Sequence, residues 1–202
     1  MEETNNLENQ EAPETPRESA NPTVTEPDYD ENESVTVKQV GIKWGVISGV
    51  VGILVFLVLA ITGLIFNSSV SWISAIPFIV ILVLAHKEFK DEGDGFMSYS
   101  KGLGIGLIVA GIGAIIQSLF SYIYIKFVDT EYYANQTAAL IEQWEKQGLN
   151  EEQIEAALGF SQNMMNPELG ILLGILGGLF FGFIIALIVT AFTKKNNPEL
   201  ED

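Results

Sequence analysis

The chain has 202 residues, 10 Lys and Arg against 26 Asp and Glu, a formal net charge of -16, no cysteine, and a mean hydropathy of +0.29. The missing cysteine excludes disulfides, iron–sulfur clusters and thiol chemistry. The acidity argues against nucleic acid as a partner, since phosphates are neutralised by Lys and Arg.

Acidity and hydropathy separate along the chain. Residues 1–36 hold eleven acidic residues, one base (Arg17) and four prolines. Such a segment buries too little apolar surface to offset its conformational entropy, so a disordered acidic cytoplasmic tail is expected over 1–36. The membrane domain is expected over 37–196, with a short C-terminal tail over 197–202.

A bilayer core about 30 Å thick needs about 20 apolar residues in a helix. The first candidate span, about 44–66, is uncharged from Val46 to Phe66. It begins well inside the chain and lacks a small-residue cleavage site, which predicts a signal anchor. Gly45 and Gly49 give it a short bare face. The second, about 69–87, is apolar from Val70 to Ala85. It reaches full length by drawing in Ser68 and Ser69 and the stems of His86 and Lys87. A re-entrant hairpin is the alternative there, but it would break the charge pattern described below. Pro77 removes one backbone donor and clashes with the Ile73 carbonyl, so a kink is expected. A gating hinge is the sharper reading of the same residue. His86, beside Lys87, reads as an interfacial anchor. Asp91-Glu92-Gly93-Asp94-Gly95 reads as a turn. A calcium loop would need alternating carboxylates, and Gly102 stands where its terminal Glu belongs.

The third span, about 103–125, carries a stripe of small residues: Gly102, Gly106, Ala110, Ala114 and Ser118. Gln117 is its most polar buried candidate and is expected to hydrogen-bond between helices. An acidic link, 127–168, follows. Apolar Tyr133, Leu140, Ile141 and Trp144 share one face of a helix at about 130–147. Gly148 is placed for a left-handed C′ residue, and Leu149 for the contact of a Schellman ending. Asn150 and Gln153 have the spacing of a capping box opening a second helix at about 151–165. Its inner face would hold Ile154, Ala157, Leu158, Ser161 and Met165, and Asn166-Pro167 would end it. Asn135-Gln136-Thr137 is a formal glycosylation sequon. The last span, about 169–192, has Gly170, Gly174, Gly178 and Gly182 on one face. Bare faces let helices approach closely and gain dispersion and Cα–H···O contacts. Packing within one bundle is the plain reading, and a homo-oligomer or a membrane-protein partner is the other.

Lys and Arg near span ends set orientation, while acidic residues count for little. Lys38 and Lys43 precede the first span. Lys87, Lys90 and Lys101 lie between the second and third, and Lys194 and Lys195 follow the fourth. The long link has only Lys126 and Lys146. Both termini are therefore expected in the cytoplasm and the link outside. The expected fold is an all-α membrane protein: a four-transmembrane-helix bundle with an extracytoplasmic helical hairpin between spans 3 and 4.

Chemistry is sparse. No span interior carries Asp, Glu, Lys or Arg, which argues against proton coupling. One histidine and no cysteine leave little for nucleophilic catalysis. No enzymatic activity, metal or cofactor is expected. The leading reading is a non-enzymatic scaffold, accessory or envelope-sensing subunit. Its partner surface is drawn from Tyr132, Trp144, Met164 and Met165 on the outward link. The alternative is an oligomeric small transporter or channel. That would need a polar face continued through several spans, and only scattered Ser, Thr, Tyr and Gln are seen.

His86-Lys87-Glu88-Phe89-Lys90-Asp91, then Gly95-Phe96-Met97-Ser98-Tyr99 and Gly102, resemble the domain-of-unknown-function 4199 family. The acidic link with Gly148-Leu149-Asn150-Glu151-Glu152-Gln153-Ile154-Glu155, and a final span ending in Lys194-Lys195, match as well. The resemblance covers about residues 38–196 and leaves the acidic tail outside. It implies a small four-span protein of a bacterial inner membrane, of a kind found mainly in Bacteroidetes. It implies no activity, and it makes the glycosylation sequon irrelevant.

Overall fold

The structure, a computed structural model, describes residues 35–67, 70, 72, 75–162 and 166–198. Residues 1–34 of the expected disordered tail, Ser68 and Ser69, Met164 and Met165, and the end of the C-terminal tail lie outside the described residues, while Val35 is buried and Thr36 caps the first helix, so the ordered part begins before 37. Within the described residues every regular element is helical. The α-helices are α1 (Val37–Ile61), α2 (Ala75–Glu92), α3 (Tyr99–Phe127), α4 (Tyr132–Lys146), α5 (Glu151–Gln162) and α6 (Pro167–Thr193).

Three of these, α1, α3 and α6, are long and apolar enough to cross a membrane. At about 1.5 Å per residue each exceeds a 30 Å hydrocarbon core. Many of their large apolar side chains point away from the protein, among them Leu54 and Val58 on α1 and Leu176, Phe180 and Ile188 on α6. A helix that is apolar all round while half exposed is one whose solvent is lipid. This is a membrane protein.

Helix limits are set by caps. Thr36 opens α1 with a capping box to Gln39, so the helix starts well before the apolar run. It ends at Ile61 rather than at 66, because Gly63 turns the chain at φ 72° and Leu64–Phe66 form a single 3₁₀ turn. Ser98 caps α3, and Asn166 caps α6 with Pro167 at its first position. Among the described residues α2 falls short of a span on its own. Its apolar part is 75–85, and its last two turns carry Lys87, Glu88, Lys90, Asp91 and Glu92.

The packing follows the bare faces. Beside α3, a Cβ added to Gly41, Gly45 or Gly49 of α1 would lie 2.7–2.8 Å from Ile108, Ile112 or Ile116. Both sets of numbers rise together, so α1 and α3 are parallel. On the other flank of α3 the pairs are Gly106 with Ala186, Ala110 with Gly182, Ala114 with Gly178, and Ser118 with Gly174. One set rises as the other falls, so α3 and α6 are antiparallel. Helix α2 packs on α1 and α6. Its end meets the start of α1, where Lys43 Nζ lies 2.7 Å from Glu88 Oε2, so it runs opposite to α1.

The start of α1, the end of α2, the start of α3 and the end of α6 share one end of this bundle. There Met97 and Lys195 exchange backbone hydrogen bonds of 2.8 and 2.9 Å, tying the start of α3 to the end of α6. Helices α4 and α5 stand at the opposite end.

Candidate functional site: a polar cavity beneath the helix pair

The turn between α4 and α5 is built from local chemistry alone. Gly148 sits at φ 85°. Leu149 N–H donates to the Trp144 carbonyl at 3.1 Å and Gly148 N–H to that of Glu145 at 2.9 Å, the two bonds of a Schellman ending. Asn150 then opens α5. Its N–H donates to Gln153 Oε1 at 3.0 Å, and its Oδ1 accepts from the Gln153 N–H at 2.9 Å. Ile154 is buried, while Ala157, Leu158 and Ser161 on the same face are half-buried. Val at position 148 would be forced into a left-handed conformation. Gly148→Val should therefore open this turn, and Asn150→Ala should cost about 1 kcal/mol locally. Hydrogen exchange over 140–156 measures both, and faster exchange confined to α5 is the expected result for the second.

Two tyrosines fasten α4 to the bundle. The Tyr132 ring lies 5.0 Å from Phe66 and edge-on to Tyr133 at 5.6 Å. The Tyr133 hydroxyl reaches the bare backbone of Gly170. Beside them Lys126 Nζ bridges Tyr122 Oη at 2.6 Å and Glu168 Oε1 at 3.1 Å, linking α3 to the first turn of α6. Burial pushes the Tyr132 phenol up to about 12, with Tyr133 and Asp129 acting in the same direction. Burial also raises Tyr133, with Glu168 adding to it. Both phenols stay neutral near pH 7.

Beneath α4 and α5, the α3–α6 interface parts into a cavity of about 560 Å³. Six hydroxyls line it, from Ser118, Ser121, Tyr122, Tyr132, Tyr133 and Ser161. Gln117 and Gln136 add amides. Gly170, Gly174 and Gly178 supply a wall of bare backbone, and Ile125, Phe160 and Ile171 the apolar part. The cavity ends where Gly178 closes on Ala114, one step above the Gly182–Ala110 contact. No Asp, Glu, Lys, Arg or His lines it among the described residues.

The expected site residues therefore divide. Gly178 and Gly182 on α6, and Gly106 on α3, each meet the backbone-proximal carbon of an alanine on the facing helix. Gly102 meets Thr190 and Met97. Gly174 and Gly170 serve the cavity as much as the interface. Gln117 faces two ways: its Oε1 approaches the Gly52 backbone on α1, and the side chain also lines the cavity. Tyr132 lines the cavity, and Trp144 is half-buried.

His86 departs most from expectation. It is not an interfacial anchor. Its exposure is 0 %, and it joins three helices at the end where α3 starts and α6 stops. Nε2 lies 2.9 Å from the Gly102 carbonyl and Nδ1 2.7 Å from Thr193 Oγ1. Lys90 Nζ donates to the Thr193 carbonyl at 2.9 Å. Phe89 and Met97 are buried nearby. In the sequence, only the flanking apolar run and the later Gly102 hinted at this role.

A family model described as "Protein of unknown function (DUF4199)" matches residues 43–195. No curated protein and no solved structure matches the chain.

Proposed function

The chain belongs to the family "Protein of unknown function (DUF4199)", and from its own residues we propose a non-enzymatic, four-crossing inner-membrane protein of the envelope-sensing or accessory kind. The observation that carries this reading is the cavity roofed by α4. A change felt by the helix pair would pass through Tyr132 and Tyr133 directly to the α3–α6 interface. The closed end of the cavity at Gly178 and Ala114 favours a receptor over a conduit within one chain.

The fourth crossing is supported by direction. Because α1 and α3 are parallel, the chain between them has to return across the same thickness. Helix α2 is the segment that does so, burying His86 as it leaves the apolar layer. Orientation is supported by charge. Lys38, Lys43, Lys87, Lys90, Lys101, Lys194 and Lys195 gather at the end where α1 and α3 start and α6 stops, against Lys126 and Lys146 at the other. This asymmetry supports a reading with both termini in the cytoplasm and the α4–α5 pair outside.

The natural absence of cysteine makes the test direct. Single cysteines at Asn67, Asp91 and Gln147 are expected to react with an impermeant maleimide on intact cells at 67 and 147 only. Reaction at 91 alone would invert the orientation, and reaction at both 67 and 91 would remove the fourth crossing.

A further inference from the structure

We infer that the cavity beneath α4 binds an uncharged, hydroxyl-rich ligand of the sugar class, either free or as the headgroup of a glycolipid. The inference rests on the receptor reading above and adds the chemistry of what is received.

Charge excludes the other classes first. An anion would call for a free cation in the wall. Lys126, next in sequence to the lining residue Ile125, is already spent on Tyr122 and Glu168. A metal or organic cation would call for carboxylates. Glu168, next in sequence to the lining residue Pro167, is the other half of that same pair. An acyl chain would match Ile125, Phe160 and Ile171, and Ser161 and Tyr122 already have partners in the Ala157 carbonyl and Lys126, but it would leave the Gln117 and Gln136 amides and the Ser121 hydroxyl desolvated, at a cost of about 1–3 kcal/mol for each group left unsatisfied.

What remains is a ligand whose own groups both donate and accept. Hydroxyls do both, and a carboxamide presents one of each. Ser121, Tyr122, Tyr133, Gln117 and Gln136 surround the space with such groups at several heights. A pyranose offers the matching set around its ring, together with C–H faces that lie flat on aromatic rings. Tyr132 and Phe160 supply the rings here. The bare glycine wall lets a ring approach the backbone of α6 closely. The volume also fits. About 560 Å³ corresponds to roughly twenty waters at about 30 Å³ each, which is the scale of one or two sugar rings.

The cavity also has two ways in. Phe160, at its edge, is 68 % exposed, and α6 borders it with a face directed at lipid. A free sugar would enter past α5 from the aqueous side. A glycolipid would keep its chains against α6 and place only its headgroup inside.

The test uses the full chain in nanodiscs, read by hydrogen exchange and thermal melting. One arm adds maltose in solution. A second dopes the nanodiscs with glucosyl-diacylglycerol. A third substitutes phosphatidylglycerol, whose headgroup is anionic. Protection of 132–136 and a raised melting temperature are expected with maltose, with the glucosyl lipid, or with both. Whichever arm responds identifies the source. Ser121→Phe, which fills the cavity, and Gln136→Leu, which removes an amide, should each weaken the response at least tenfold, measured against the same variant's own ligand-free melt. If Ser121→Phe fails to fold, Gln136→Leu alone decides. No response to either sugar, an equal response to phosphatidylglycerol, or undiminished binding by a folded variant would overturn the inference. The receptor reading fails separately, if α4 exchanges freely in the ligand-free protein.

Discussion

Gly178→Leu and Gly182→Leu are expected to cost about 3 kcal/mol or more each, while Gly177→Leu on the same helix costs less than about 0.5 kcal/mol. The three substitutions are chemically identical and fall within six residues of one helix. Their difference is in what the new side chain meets. A Cβ on Gly182 would stand 2.5 Å from Ala110 Cβ and one on Gly178 would stand 2.7 Å from Ala114 Cβ. An alanine has no rotamer by which to withdraw, so the whole helix has to move. A Cβ on Gly177 meets nothing within 4 Å. There the change adds apolar surface toward lipid and removes the helix penalty of glycine. The same geometry grades the rest of the stripe. Gly174 faces Ser118 Oγ at 2.7 Å, but that hydroxyl can rotate, and the Ser118 Cβ is at an ordinary 3.5 Å. Gly170 faces only the tip of Tyr133 at 3.1 Å. Alanine at 174 and 170 should therefore be mild. Thermal unfolding in one detergent measures the series. Equal melting temperatures for the leucine variants at 177 and 178 would mean α3 and α6 do not pack on this face.

The glycines show how far the sequence could be read. A four-residue repeat is visible in the letters, and it identifies the bare face of α6. It does not say which helix comes to that face. The partner stripe on α3 is equally visible. Only the fold shows that Gly106 meets Ala186 while Gly182 meets Ala110, with α3 thereby placed between α1 and α6. The α4–α5 turn was legible in full, because every bond in it joins residues no more than five apart. Gly148, Leu149, Asn150 and Gln153 carry it without help from the rest of the chain. The cavity was not legible. Ser118, Ser121, Tyr133, Gln136 and Ser161 lie on three helices and look like scattered polar residues until α4 folds over the α3–α6 seam. The limits of α1 were missed for a plainer reason. Hydropathy marks where a helix can sit in lipid, whereas Thr36 and Gly63 decide where it starts and stops.

The expected loss at His86 follows from the same distinction between local and long-range information. His86→Ala should cost about 2–4 kcal/mol, because it removes two buried hydrogen bonds and leaves a cavity among three helices. The hydrogen bonds have a definite sense. The Gly102 carbonyl can only accept, so Nε2 carries a proton and donates to it at 2.9 Å. The Thr193 hydroxyl is within reach of both Nδ1, at 2.7 Å, and the Val189 carbonyl, at 2.9 Å. It can turn its proton to Nδ1 of a neutral ring, or keep it on Val189 and accept from a charged one. Either way both ring nitrogens are satisfied, which is what lets a histidine sit at 0 % exposure. The consequence extends along α6. Lys90 Nζ already holds the Thr193 carbonyl at 2.9 Å, at a helix end where carbonyls lack partners and the dipole favours a cation. His86 and Lys90 therefore fix the last turn of α6 from two sides, and the Met97–Lys195 bridge begins two residues later. His86→Gln should recover part of the loss, since its amide N–H₂ can still reach toward Gly102. His86→Leu should recover packing but not the hydrogen bonds. Melting temperature ranks the three, and hydrogen exchange at 97 and 195 locates the damage. The expected order of stability is wild type, Gln, Leu, Ala, with exchange rising first at the bridge. Wild-type melting for the leucine variant, with the bridge still protected, would show that the imidazole fills space and holds nothing.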